Sequence, residues 1–235
     1  MRFRMCLILA LSVLAGCVSK PQQEKTYTFS YPLEVGNTWK YESVWTLDDT
    51  AIDSHYVYSS IATKYTTLTV FPVFEFRDSA QGAVSYDYYE QEPDGVFLYA
   101  STPGGIHALW KSLLQPGVNL RDPPVLLVPT SFQIGEEWTY DTLVDSASNI
   151  RKPLTRQFLG MEPVGTLLGT FQCYKFQTVG YGNEKRYHYY YPNVGLIMNE
   201  EIIDSMGIAS FDSSGSISER YVKSVRRNKL VSMNY

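Results

Sequence analysis

The sequence predicts an all-β fold, built from two tandem antiparallel β modules of about 100 residues that form a curved sheet, barrels or sandwiches. Three observations predict it. The first is an internal repeat. Val35-Gly36-Asn37-Thr38-Trp39-Lys40-Tyr41-Glu42 recurs as Ile134-Gly135-Glu136-Glu137-Trp138-Thr139-Tyr140-Asp141, an offset of 99 residues from Trp39 to Trp138. Phe71, Phe74 and Phe76 return as Phe171, Tyr174 and Phe176, while Tyr86, Tyr88 and Tyr89 return as Tyr187, Tyr189 and Tyr190. The second is a period of two: Trp39, Tyr41, Ser43 and Trp45 alternate with Lys40, Glu42 and Val44, as on a half-buried strand. The third is punctuation by turn residues, such as Asp48-Asp49, Asp78 to Gly82, Pro93-Asp94-Gly95 and Gly180 to Asn183, which favours meanders of short hairpins.

Taken in order, residues 1–16 read as a signal peptide. Arg2 and Arg4 precede the apolar run Leu7 to Leu14, which is far shorter than the roughly 20 residues that span a bilayer. The run ends in Leu14-Ala15-Gly16-Cys17, which resembles the bacterial lipobox. That resemblance implies cleavage before Cys17 and lipidation of its thiol; an ordinary secretory signal is the alternative. Two or more acyl chains, at about 0.8 kcal/mol per buried methylene, give a stable membrane anchor. Val18, and not an aspartate, follows the cysteine, and by resemblance to the sorting rules of enterobacterial lipoproteins this implies the outer membrane, with its periplasmic face expected. Residues 17–30 are polar at their start and read as a flexible tether.

The first module is expected over 31–101, with strands at 38–47, 55–61, 64–77, 83–91 and 96–101. A connector over 102–130 carries Pro103, Pro116, Pro123, Pro124 and Pro129, which forbid a central strand. Within it, Ile106 to Leu114 suits a short helix, and Val125 to Val128 is apolar enough to pack against the second module or cover the seam. The second module is expected over 131–235, with strands at 137–145, 151–160, 170–179, 184–191, 195–203 and 217–228.

Composition narrows the function classes. The full chain has 20 basic and 24 acidic residues; without Arg2 and Arg4 the basic count is 18, so the mature chain is net negative. The one basic cluster, Lys223, Arg226, Arg227 and Lys229, reads as a solvated strand face, and no nucleic-acid partner is expected. Of three cysteines, Cys6 leaves with the signal and Cys17 is lipidated, so Cys173 cannot belong to a disulfide framework and reads as a small core residue.

The second module carries Gly169-Thr170-Phe171-Gln172-Cys173-Tyr174-Lys175 and Tyr190-Tyr191-Pro192-Asn193-Val194-Gly195-Leu196, after an opening Gly-x-x-Trp-x-Tyr. In these motifs the chain resembles a set of uncharacterised β-rich envelope lipoproteins of bacteria. The resemblance is partial in the first module, where Thr69-Val70-Phe71 stands for Gly-Thr-Phe. It implies an all-β envelope protein and brings no catalytic residues.

Chemistry is sparse. His55, His107 and His188 lie far apart in sequence, and no His-x-His, Cys-x-x-Cys or His-Glu-x-x-His occurs, so no metal or cofactor is expected. Asp48, Asp49 and Asp53 lack the spacing of a calcium loop. The pairs Glu136-Glu137 and Glu200-Glu201 put neighbouring carboxylates on opposite strand faces. An enzyme is therefore not expected, and a hydrolase with an unrecognised site ranks last. The 19 tyrosines and 11 phenylalanines suit a sheet core of large rings. The sharper alternative is a groove lined by Tyr86, Tyr88, Tyr187, Tyr189 and Tyr191 that accepts an acyl chain, glycan or peptide. The expectation is a membrane-anchored envelope lipoprotein with a binding or structural role, its partner an envelope protein or a hydrophobic ligand.

Overall fold

The computed structural model describes residues 25–65, 73–102, 120–145, 150–179, 184–211 and 216–235. These form β1 (Tyr27–Thr28), β2 (Thr38–Leu47), β3 (Thr50–Tyr65), β4 (Val73–Ala80), β5 (Ala83–Glu92), β6 (Gly95–Thr102) and β7 (Leu120–Pro129). They continue as β8 (Ser131–Phe132), β9 (Glu137–Asp145), β10 (Ile150–Thr166), β11 (Gly169–Val179), β12 (Glu184–Tyr191), β13 (Gly195–Phe211) and β14 (Ile217–Asn234). Of the turns expected from sequence, Asp48-Asp49 and Pro93-Asp94 are where the chain reverses, that at Asp78 to Gly82 narrows to Gln81-Gly82, and Gly180 to Asn183 lies outside the described residues. Asp48 and Asp49, at φ of 44° and 63°, form the two-residue connection of β2 and β3, and short polar residues tolerate that backbone best.

Twelve strands make a single antiparallel sheet in the order β7-β6-β5-β4-β3-β2-β14-β13-β12-β11-β10-β9. Read as a ring, this is one continuous meander, with β14 pairing β2 from Asn234↔Thr38 to Ser224↔Leu47. The last strand thereby holds the first long one, and the sheet is a nearly closed barrel. Its two free edges, β7 and β9, are bridged rather than laddered: Trp138 Nε1 donates to the Leu126 carbonyl (3.1 Å) and Arg156 Nη1 to the Leu127 carbonyl (2.9 Å).

Strand β7 was not expected, because its prolines argue against a sheet. It is compatible with them because it is an edge strand, and its pairing with β6 skips between Ala100↔Leu120 and Leu98↔Val125, leaving Pro123 and Pro124 in the irregular part. Val125 and Val128 are buried, so the apolar stretch lies at the seam, one of the two positions expected for it. The helix expected at 106–114 lies outside the described residues.

The interior is filled by the N-terminal segment. Residues 27–30, expected at the end of a tether, instead continue into the core, since Tyr27, Phe29 and Tyr31 follow the same period of two as the strands. Tyr27–Thr28 pairs with Ser131–Phe132. Tyr27 packs on Phe158 (ring centroids 5.0 Å apart), Phe29 on Tyr190 (5.5 Å) and Tyr31 on Phe76 (5.7 Å). Edge-to-face pairs of this kind add about 0.5–1.5 kcal/mol each beyond the area they bury. Gly195 is required at this point: a Cβ there would lie 2.9 Å from Tyr31 Cζ, and its φ is +92°.

The two Gly-x-x-Trp-x-Tyr segments make matching contacts. Gly36 N–H donates to Ile61 O (3.0 Å) and Ile61 N–H to Asn37 O (2.9 Å); Gly135 N–H donates to Phe158 O (2.8 Å) and Phe158 N–H to Glu136 O (3.0 Å). Trp39 lies 5.8 Å from Phe76 and Trp138 lies 5.6 Å from Phe176.

Candidate functional site in the barrel interior

The five tyrosines of the expected groove fall into two separate groups. Tyr88 is buried with Val73 and Ala100, beside Tyr86, and its hydroxyl donates to Glu75 Oε2 (2.7 Å). Tyr189 is buried with Cys173 and Val164, and Lys175 lies over the rings of both Tyr187 (4.8 Å) and Tyr189 (5.3 Å). Tyr191 packs against Phe171 at 5.4 Å. Of the five, Tyr187 lines a recess of 100 Å³ beside His188. Asp87, Tyr89, His188 and Tyr190 share a face with Phe76 and Phe176, because alternation sends adjacent side chains to opposite sides.

Two interior regions carry polar chemistry. The first is an enclosed cavity of 120 Å³ between Tyr31, Tyr41, Asp78, Tyr89 and Tyr190. Ser59 Oγ donates to Asp78 Oδ1, and Asp87 accepts from Ser101 Oγ (2.6 Å) and Tyr89 OH (3.0 Å). Burial pushes the Asp78 carboxyl up to about 6, against the Ser59 hydrogen bond, with the Asp87 charge adding to the rise. Burial likewise raises Tyr41 and Tyr89, so their hydroxyls stay protonated. The sequence places Asp78 in a turn, but β4 runs on to Ala80 and sets Asp78 in register with Ser59.

The second region lies further along the same face, where register aligns two polar rows. One runs His188↔Asn199↔Asn228↔Ser43↔His55, the other Arg186↔Glu201↔Arg226↔Trp45↔Asp53. They border a recess of 350 Å³ beside Trp45 and His55, and a second of 100 Å³ beside His188 and Asn199; Arg226 and Asn228 line both. Trp45 Nε1 donates to Ser224 Oγ (2.9 Å), which fixes the indole, and the Arg226 guanidinium lies 5.2 Å from its ring. His55 Nδ1 is 3.0 Å from Asp53 Oδ2, and Arg186 pairs with Glu184 and, at 3.7 Å, with Glu201. Burial, with the nearby Arg156 and Arg186 charges, holds His188 well below the ordinary imidazole range, so it is neutral.

Other reactive groups are subdued. Cys173 is fully buried, and burial together with the Glu162 charge pushes its thiol up to about 12, which keeps it a thiol rather than a nucleophilic thiolate. Glu200 is paired with Arg227 and Glu162 with Lys175. Among the described residues, no group of three His, Cys, Asp or Glu side chains is placed to hold a metal ion. No helix of the described residues is long and apolar enough to cross a membrane.

No protein-family model matches the chain, and no curated protein matches it in sequence. Two solved structures align along most of it. A candidate lipoprotein from Parabacteroides distasonis is 15% identical, with 88% of this chain and 99% of that chain covered at a TM-score of 0.36. A candidate exported protein from Bacteroides fragilis with a YmcC-like fold is 11% identical, with 89% and 100% covered at a TM-score of 0.32.

Proposed function

We propose that the chain is a lipid-anchored envelope protein that acts without catalysis, as a structural or partner-binding module held on the outer membrane by acyl chains on Cys17. Its two halves derive from one duplicated unit, as the paired Gly36/Gly135 and Trp39/Trp138 contacts suggest. The observation that carries the reading against a hydrophobic-ligand carrier is the filled interior. Tyr27, Phe29 and Tyr31 pack into it, and the cavity beside Tyr31, Tyr41 and Tyr190 measures 120 Å³. An engineered cavity of about 150 Å³ accommodates benzene, so this cavity is too small for an acyl chain. The anchoring half rests on Leu14-Ala15-Gly16-Cys17 behind an apolar run.

The test is metabolic labelling with an alkyne palmitate analogue in a Gram-negative host. Label is expected on the wild-type chain, which sediments with outer membranes, and Cys17→Ser is expected to lose both label and sedimentation. An unlabelled wild-type chain released with the periplasm would overturn the anchoring.

A further inference from the structure

We infer that the two recesses joined at Arg226 and Asn228 form a binding site for a neutral polyhydroxylated ligand, a single saccharide unit. This goes beyond the envelope reading and stands on its own if anchoring fails. Three observations carry it.

The first is unmet bonding capacity. His188 Nδ1 and Asn228 Oδ1 are both shielded from solvent with no hydrogen-bond partner. A buried polar atom left unpaired costs about 1–3 kcal/mol. Both belong to residues that line the same 100 Å³ recess, on strands either side of Asn199, where separate hydroxyls of one ligand can pair them.

The second is charge balance. The lining sets Arg186 and Arg226 against Glu200, Glu201 and Asp53, with Arg186 paired to Glu184 and Glu201, while His188 is neutral. An ionic ligand would leave one of these pairs competing with it. Hydroxyl groups, each one donor and two acceptor lone pairs, use carboxylates, imidazoles, amides and guanidinium groups together. The third is shape. Trp45 presents a fixed indole to the larger recess, suited to the C–H face of a pyranose, and 350 Å³ lies at the small end of the roughly 300–1,000 Å³ that small-molecule sites occupy.

The experiment is saturation-transfer NMR on the full chain, purified in a detergent without a sugar headgroup. The probes are D-glucose and N-acetylglucosamine, with acetate and inorganic phosphate as anionic comparators. Transfer to the ring protons of at least one sugar is expected. Its Kd should rise at least tenfold in Asn228→Ala and in Trp45→Ala and stay unchanged in Tyr56→Ala, whose side chain lies on the opposite face of β3. Near-UV circular dichroism identifies any variant that has lost its fold, and Asn228→Ala, which removes no ring, keeps the test open if Trp45→Ala fails it. Three results would each overturn the assignment: no transfer from either sugar up to about 50 mM, well above the roughly 1 mM Kd of a weak site; binding of the anions alone; or sugar binding unaffected by a folded Asn228→Ala.

Discussion

At the scale of single residues, the interior is governed by which side chains point inward. Trp39, Tyr41 and Phe76 are legible from alternation alone, and all three are buried. The tyrosine set Tyr86, Tyr88, Tyr187 and Tyr189 follows the same alternation but sits on the opposite phase, and sequence offers no marker of which phase faces in. The phase was recoverable only from pairing, through Phe76↔Asp87 and Phe176↔His188. Asp78 shows the cost of a polar group on the inward phase. Its carboxyl rises from 3.8 to about 6 on folding, so the native state holds the proton more tightly than the unfolded chain. The resulting stability is fully present below about pH 4, declines as pH rises through about 6, and is absent at neutral pH. Asp78→Asn should therefore raise stability at pH 7 by on the order of 1–2 kcal/mol and flatten this group's pH dependence between about 4 and 6. Urea melts at pH 4 and pH 7 check it; an equal loss of stability at both would show that Asp78 acts as a hydrogen-bond acceptor only.

At the scale of elements, the hairpins were readable and the closure was not. Strands 38–47, 137–145 and 184–191 have the bounds expected from sequence, because each is flanked by turn residues and carries aromatics in register. Strand β7 is hidden by prolines, whose usual exclusion from sheets fails at an edge. Strand β1 is hidden by its position beyond a polar leader. Closure depends on Trp138 and on Arg156, a fully buried cation that donates to Thr178 Oγ1 (3.3 Å) and the Leu127 carbonyl and lies 3.9 Å from the Tyr140 ring. Trp138→Phe keeps the ring and removes one cross-seam bond, at a cost of about 0.5–1.5 kcal/mol. Hydrogen exchange should then quicken in β7, while the amides pairing β2 with β14 keep their protection. Uniform loss of protection across the sheet would contradict a seam held locally by side chains.

For the whole molecule, β14 on β2 makes the two halves one sheet, so neither has a complete core of its own. The largest buried cluster among the described residues fits that dependence, since it joins Trp39, Tyr41 and Phe76 to Ile197 and Leu230. The all-β class was legible in the sequence, but whether the halves shared a sheet was not. That question turns on a pairing between residues nearly 200 apart, Thr38 and Asn234. The same closure encloses the N-terminal segment, whose Tyr27, Phe29 and Tyr31 pack on rings from both halves.

The central claim is that filled interior, and native mass spectrometry tests it most directly. Residues 24–235, expressed in a bacterial periplasm without the anchor, should give the bare polypeptide mass under gentle and harsh activation alike. An adduct of lipid mass, retained under gentle activation and released under harsh, would contradict the account and make the barrel a carrier.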